Sequence, residues 1–412
     1  MPPMAEALSP ADLARFRMDR RDNPMTITAV LWVAGRIDGG ALDALIQARL
    51  ATRPRFVARI VEPSHGLPYW ARDDDFDVRS HVHHIALPEG EAPESLVSDL
   101  ASTRLDPRLP LWQLHLVDGV AGGTAIVVRV HHAVTDGVGL VEVLLSLTDQ
   151  GVADWRPPDV AALRRKGARA AVAPFAGLAG LLVSRVEPPS ALTARHHLHK
   201  QVAWSRPLDL AAIKQASRDA AVGTTALLLA LAAGAVRRAL LRRSPRSPSD
   251  VRAMVPLSVR ASSEGDALGN RYASVFVRLP VSEEKLDGRV SAADRALGRA
   301  RLAGGLSLGR SLVDVASRVG APLERLGVDV LSRRASLVVS NVPGPRAPHT
   351  LLGHPLTRVI AFAPVPGELG LGVTFLGYAA SVSVGVASGL EDEAMARDVA
   401  DGIEREAELV SG

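Results

Sequence analysis

The chain has 412 residues, 47% hydrophobic and 22% charged, the profile of a folded globular protein long enough for two cores. It contains no cysteine, which excludes disulfides, thiolate metal sites and a cysteine nucleophile. With 48 basic and 44 acidic residues the formal charge is only +4, and aromatics are 4%, so neither the charge nor the stacking rings of a nucleic-acid binder are present.

Met1 to Pro10 has no basic stretch followed by an apolar one, and no uninterrupted apolar run reaches the roughly 20 residues of a spanning helix. A cytoplasmic location is therefore expected. Thr26–Ala34 reads as a strand, and Gly40–Leu50 as a helix with Ala41, Leu45 and Ile46 on one side. Phe76–Leu87 reads as extended and Glu94–Thr103 as helical. Leu114–Val117 and Ala125–Val130 form a hairpin around Asp118-Gly119 to Gly122-Gly123. A helix starts at Gly137 and places Val138, Val141, Leu144, Leu145 and Thr148 at helical spacing.

After Gln150 the composition shifts to Ala, Arg and Pro, from Trp155-Arg156-Pro157-Pro158 to Pro188-Pro189, as in a crossover between domains. Alternation resumes at Val202. Leu208–Asp219 is helical, Thr224–Arg243 is a long Ala/Leu helix, and Leu286–Arg318 is mostly helical. Val251–Val259, Ser274–Leu279, Leu337–Ser340, Thr357–Ala363, Leu371–Leu376 and Ser381–Val386 read as strands, and Glu391–Leu409 closes with a helix. The expected organisation is an α/β protein with a first lobe over residues 1–150, a linker over 151–200 and a second lobe over 201–412. Basic clusters at Arg164-Arg165-Lys166, beside the apolar Ala170–Val183, and at Arg237 to Arg243 read first as solvated helix faces. Docking on anionic lipid is the sharper reading of the same pattern, which keeps a peripheral membrane or lipid-droplet surface open as a partner.

The chemistry concentrates at His131-His132-Ala133-Val134-Thr135-Asp136-Gly137. In Ile126 to His132 alternate side chains share a face, so His132 lies with Ile126, Val128 and Val130 while His131 points the other way. An imidazole among apolar neighbours favours its neutral, proton-accepting form, which suits a general base. Asp136 is placed to cap the following helix or to pair with an arginine, for which Arg260 is a candidate, and so to aim His132. Gly137 permits close backbone approach at the helix start.

HHxxxDG on a strand–turn–helix resembles the acyltransferase superfamily of chloramphenicol acetyltransferase and peptide-synthetase condensation domains. The flanking blocks narrow the resemblance to bacterial wax ester synthase/diacylglycerol acyltransferases: Phe76-Asp77 with His81-Val82, Leu105-Asp106, Pro110-Leu111-Trp112, Met254 to Arg260, Leu268-Gly269-Asn270-Arg271, and Ser340-Asn341-Val342-Pro343-Gly344-Pro345. They span nearly the whole chain.

The resemblance implies two chloramphenicol-acetyltransferase-like lobes with a substrate tunnel between them. Acyl-CoA, as co-substrate, and an alcohol acceptor such as diacylglycerol or a long-chain alcohol would meet at His132. No cofactor or metal is expected to be bound, and no acyl-enzyme is needed. His131, Asp136 and Gly137 would support the site. Asn270 and Asn341 are candidate substrate contacts, although both turn positions also reward Asn for backbone reasons. One departure stands out. Thr225-Ala226 occupies the place where the family usually carries an Asn-Asp pair. That opens two alternatives, an acceptor that is a hydroxyl or amine of a specialised metabolite, and a relative that binds acyl or lipid ligands without turnover.

Two other classes fit less well. Gly305-Leu306-Ser307-Leu308-Gly309 matches the G-x-S-x-G elbow, but an arginine-rich helical stretch precedes it where a buried strand is required. His81, His83 and His84, and His196, His197 and His199, suggest zinc, but no carboxylate or cysteine completes a site at a familiar spacing.

Overall fold

The computed structural model describes residues 5–120, 122–152, 155, 191–193, 198–258, 268–302, 334–365 and 369–411. Most of the linker, Arg260, His196, His197, the Gly305–Gly309 elbow and the helical reading beyond residue 302 lie outside the described residues. In the first half the strands are β1 (Ala5–Ala7), β2 (Thr26–Ala34), β3 (Ala58–Val61), β4 (Tyr69–Arg72), β5 (Val82–Ala86), β6 (Trp112–Val120) and β7 (Gly123–His131). The helices are α1 (Pro10–Met18), α2 (Gly39–Arg49), α3 (Pro93–Ser102) and α4 (Gly137–Leu147). The second half adds β8 (Gln201–Trp204), β9 (Leu208–Asp209), α5 (Leu210–Asp219), α6 (Thr224–Arg243), β10 (Val251–Ser258), β11 (Tyr272–Leu279) and α7 (Leu286–Leu302). It continues with β12 (Leu337–Val342), β13 (Thr350–Leu351), β14 (His354–Phe362), β15 (Leu371–Tyr378), β16 (Ser381–Ser388) and α8 (Met395–Ser411).

These elements build two large sheets. The first has the order β13-β14-β2-β7-β6-β5, and the second β11-β10-β12-β15-β16-β8 with β9 beside β16. A small β1-β4-β3 sheet sits apart. The first large sheet is completed from far away in sequence, because β14 pairs antiparallel with β2, Val359 opposite Leu31. The two sheets share an apolar layer in which Val30, Val127 and Phe362 meet Trp204, Val338 and Ala387. Burying such side chains stabilises by roughly 1.5–3 kcal/mol each, which joins the lobes firmly.

Local chemistry explains where the structure departs from the expected elements. The buried face of α2 is led by Leu42 with Leu45 and Ile46, and Ala41 is exposed. The extended reading of Phe76–Leu87 is interrupted by a 3-10 turn over Val78–Ser80, because the Asp77 carboxylate accepts from the Arg79 backbone N–H at 3.0 Å. Leu208 and Asp209 pair with β16 rather than joining the helix, and Asp209 caps α5. Helix α6 is long and apolar enough to cross a membrane by composition, yet Ala226 to Val236 are buried in the second-lobe core. It packs against α7 and α8, as a core helix does.

Candidate active site

Strand β7 lies between β2 and β6 and delivers His131 and His132 at its end. The backbone N–H of His131 donates to Leu111 O at 2.9 Å and that of His132 to Met25 O at 2.7 Å, so the exit of the strand is held from both sides. Asp136 then caps α4, its Oδ1 accepting from Gly139 N–H at 2.9 Å.

The two histidines have different surroundings. His131 is buried, and its Nδ1 accepts from the Ala133 backbone N–H at 3.0 Å, which fixes the turn. Burial, with the Arg104 cation second, pulls its pKa down to about 3, so it carries no charge near neutrality. His132 is half-buried, with Nδ1 enclosed and without a hydrogen-bond partner, which leaves Nε2 as the open nitrogen. Burial comes first and the Arg15 cation second in lowering the His132 pKa to about 4, against weaker opposing effects of its own carbonyl and Asp136. At neutral pH the ring is therefore neutral and has an available lone pair.

The second lobe closes on this loop through residues 268–271. Thr135 and Gly269 form an isolated parallel bridge, and Asp136 Oδ2 accepts from the Arg271 backbone N–H at 2.8 Å. Asp136 thus caps the helix and ties the lobes together, whereas Arg260, its expected partner, lies outside the described residues. Gly269 sits at φ +113°, and a Cβ there would stand 3.0 Å from Arg55 Nη1. At Gly137 a Cβ would meet Val342 Cγ2 at 3.3 Å, so the helix start passes close to β12.

Asn270 uses its side-chain amide inside the junction. Nδ2 donates to His132 O at 2.6 Å and to Asp12 Oδ1 at 2.8 Å, while the Asn270 backbone N–H reaches the same Asp12 oxygen at 3.0 Å. Asp12 is buried and its other oxygen pairs with Arg55 Nη1 at 3.1 Å. Arg55 Nη1 also donates to Val134 O at 3.3 Å. Asn341 lies elsewhere, donating from Nδ2 to Thr225 Oγ1 at 3.1 Å, so it touches one of the two residues that replace the usual Asn-Asp pair.

Asp12, Arg55, Arg15 and Tyr272 were not singled out by sequence reasoning as site residues. An acid in the first turn after Ser9 reads as a helix-end residue, and the unusual basicity of Arg15 to Arg21 was the one available signal. Among the described residues no group of three or more His, Cys, Asp or Glu is placed to hold a metal. His81 instead stacks on Trp112 with ring centroids 4.5 Å apart, and His83 on His115 at 4.9 Å.

Residues 8–295 match the wax ester synthase/diacylglycerol acyltransferase catalytic domain, and residues 268–408 match the C-terminal domain of the same family. The chain belongs to that family. A Mycobacterium tuberculosis (strain H37Rv) protein named as a probable diacylglycerol O-acyltransferase is 29% identical over 371 residues, 82% of this chain and 80% of the relative. The wax ester synthase/diacylglycerol acyltransferase from Marinobacter aquaeolei VT8 superposes with a TM-score of 0.69 at 20% identity, over 98% of this chain and 100% of that one. The first condensation domain of the calcium-dependent antibiotic synthetase, solved with a substrate analogue, gives 0.66 at 17% identity, over 99% and 96%. The two-lobed acyltransferase fold expected from HHxxxDG is thus the fold of this wax ester synthase/diacylglycerol acyltransferase relative.

Proposed function

We propose that this acyltransferase moves a fatty acyl group from acyl-CoA to an alcohol, with His132 as the general base. The single observation that carries the reading is the neutral His132 ring, open at Nε2 and held by its backbone from both lobes. Nε2 takes the proton of the acceptor hydroxyl as the oxygen attacks the thioester carbonyl, and the tetrahedral intermediate then expels CoA thiol. His131 and Asp136 act through geometry. One fixes the turn and the other fixes the helix start, so both aim the imidazole through the backbone that carries it.

Long-chain alcohols and diacylglycerol are the first acceptors to try. A second reading, transfer to a smaller hydroxyl or an amine, is favoured by Thr225-Ala226 and by the engagement of Thr225 with Asn341. The deciding experiment is acceptor-dependent CoA-thiol release by the wild type and by His132→Ala, across acyl-CoAs and these acceptor classes. The expected result is release that falls by about 10²–10⁴-fold in the variant. Equal rates in the two proteins would overturn the role of His132, and the best acceptor would decide between the two readings.

A further inference from the structure

We propose that Tyr272 donates the hydrogen bond that meets the oxyanion of the tetrahedral intermediate, and that Arg15 positions it. This rests on the acyl-transfer reading above and names a group which that reading leaves unassigned. Tyr272 opens β11, two residues after Asn270, so the loop that holds the His132 carbonyl also places this phenol. The phenol ring lies against the imidazole, with centroids 5.7 Å apart at an interplanar angle of 46°. Two nitrogens of Arg15 donate to the phenol oxygen, Nη2 at 2.7 Å and Nε at 3.2 Å. The acceptor side of that oxygen is therefore occupied, and its own O–H is turned away from the guanidinium. Among the described residues no acceptor meets that O–H.

Arg15 is suited to stand behind such a donor. It lies on α1 three residues after Asp12, and its guanidinium is also 5.0 Å from the Tyr272 ring centroid. Its remaining contact is a long one, Nη1 to Ala11 O at 3.5 Å, and among the described residues no carboxylate pairs with it. Its two donated hydrogen bonds polarise the phenol oxygen and so strengthen the O–H as a donor to an oxyanion. After burial, the Arg15 charge is the second cause that lowers the His132 pKa, so the ring enters the step neutral. The acceptor oxygen forms its bond to the acyl carbon and gives its proton to His132 Nε2. The carbonyl π pair moves onto the acyl oxygen, where the Tyr272 O–H receives it. On collapse the C=O re-forms, the C–S bond breaks, and the proton on His132 passes to the sulfur, leaving ester and CoA thiol.

The test is steady-state thiol release by wild type, Tyr272→Phe, Arg15→Leu and the double variant, with His132→Ala as the reference for lost chemistry. Removing one oxyanion donor is expected to lower kcat by about 10²-fold, with KM for the acyl-CoA and the acceptor little changed. The double variant is expected to be no slower than Tyr272→Phe alone, since Arg15 acts through the phenol. In Arg15→Leu the acid limb of the pH profile moves up, because a cation that depresses the His132 pKa has gone. Phenylalanine keeps the ring, so thermal melting of Tyr272→Phe should match the wild type. An unchanged kcat in Tyr272→Phe, or a loss confined to KM, would overturn the proposal while acyl transfer stood. Multiplying losses in the double variant would remove the role of Arg15. A wild type no faster than His132→Ala would instead overturn the acyl-transfer reading and this inference together.

Discussion

Each lobe buries an arginine–carboxylate pair, and the two pairs serve different ends. In the second lobe Arg289 of α7 bonds Glu406 of α8, both almost wholly enclosed. Arg238 of α6 adds a contact to Glu406 at 2.7 Å, and Arg289 also donates to Ala230 O at 3.3 Å. The other bonds of Arg289 go to Glu283 O and Glu284 O in the turn that enters α7, so every partner lies in the helix layer or that turn. In the first lobe Arg55 and Asp12 also pair at 3.1 Å; besides a second, exposed pair of Arg55 with Glu6 at 3.2 Å, their hydrogen bonds reach Val134 O and Asn270, which holds His132. One cluster joins helices to one another. The other joins a loop of each lobe to the reacting imidazole. What distinguishes a functional ion pair here is thus not its burial or length but what its remaining hydrogen bonds hold.

The largest effect should come from breaking the helix-layer pair. Glu406→Ala leaves Arg289 charged and enclosed without its carboxylate, a change that typically costs about 3–5 kcal/mol. Urea denaturation should show that loss. Thiol release per folded molecule should stay at the wild-type value, because nothing in this cluster reaches the His132 loop. A folded Glu406→Ala protein with reduced kcat would blur the distinction between the two clusters.

Asn270→Ala tests the other pair. It removes the donor shared by Asp12 Oδ1 and His132 O, and a hydrogen bond to a charged group contributes about 1.5–3 kcal/mol. The stability loss should therefore be smaller than for Glu406→Ala. The kinetic loss should be larger, about 10-fold or more in kcat, since small misplacements of a reacting group slow turnover steeply. Asp12→Asn should repeat the pattern, and either variant with wild-type kcat would show that the clamp is structural only.

How far the sequence reaches follows the same division. Strand β7, the turn after it and the cap by Asp136 were legible because period-2 alternation and N-cap chemistry are local rules. So was the neutrality of His132, since apolar neighbours in a strand imply loss of water. The insertion of β14 beside β2 was not legible, because 330 residues separate partners such as Val30 and Ile360 and no local pattern encodes that pairing. Nor were the partners of Asn270, which come from α1 in the opposite lobe. Asn341 read as a turn residue, yet its contact with Thr225 depends on how β12 faces the start of α6. Roles set by one segment are visible in sequence, and roles set by the meeting of two lobes need the fold.

The smallest expected effect concerns acid stability and the histidines outside the site. His115 is buried in β6 with both ring nitrogens lacking a partner, and burial first, then the cation of Arg129, pulls its pKa down to about 3. His131 is similarly low, at about 3. In the unfolded chain both titrate near 6.5, so between that pH and about 3 the unfolded state binds more protons than the folded one. The stability tied to their neutral forms is fully present above 6.5 and is lost as pH falls towards 3. For each such histidine the slope approaches about 1.4 kcal/mol per pH unit once the unfolded side chain is protonated. Thermal melts from pH 8 to pH 5 should show this decline above the range where carboxylates titrate. His115→Phe keeps a ring to pack against His83 and has no nitrogen to protonate, so its melting temperature should fall less over the same interval. Equal slopes for wild type and variant would mean that His115 is hydrated or protonated in the folded protein, contrary to the enclosure described here. A flatter slope in His115→Phe with unchanged kcat would place this histidine with the structural cluster of the second lobe and apart from His132, although its strand β6 pairs directly with β7, the strand that leads to the base.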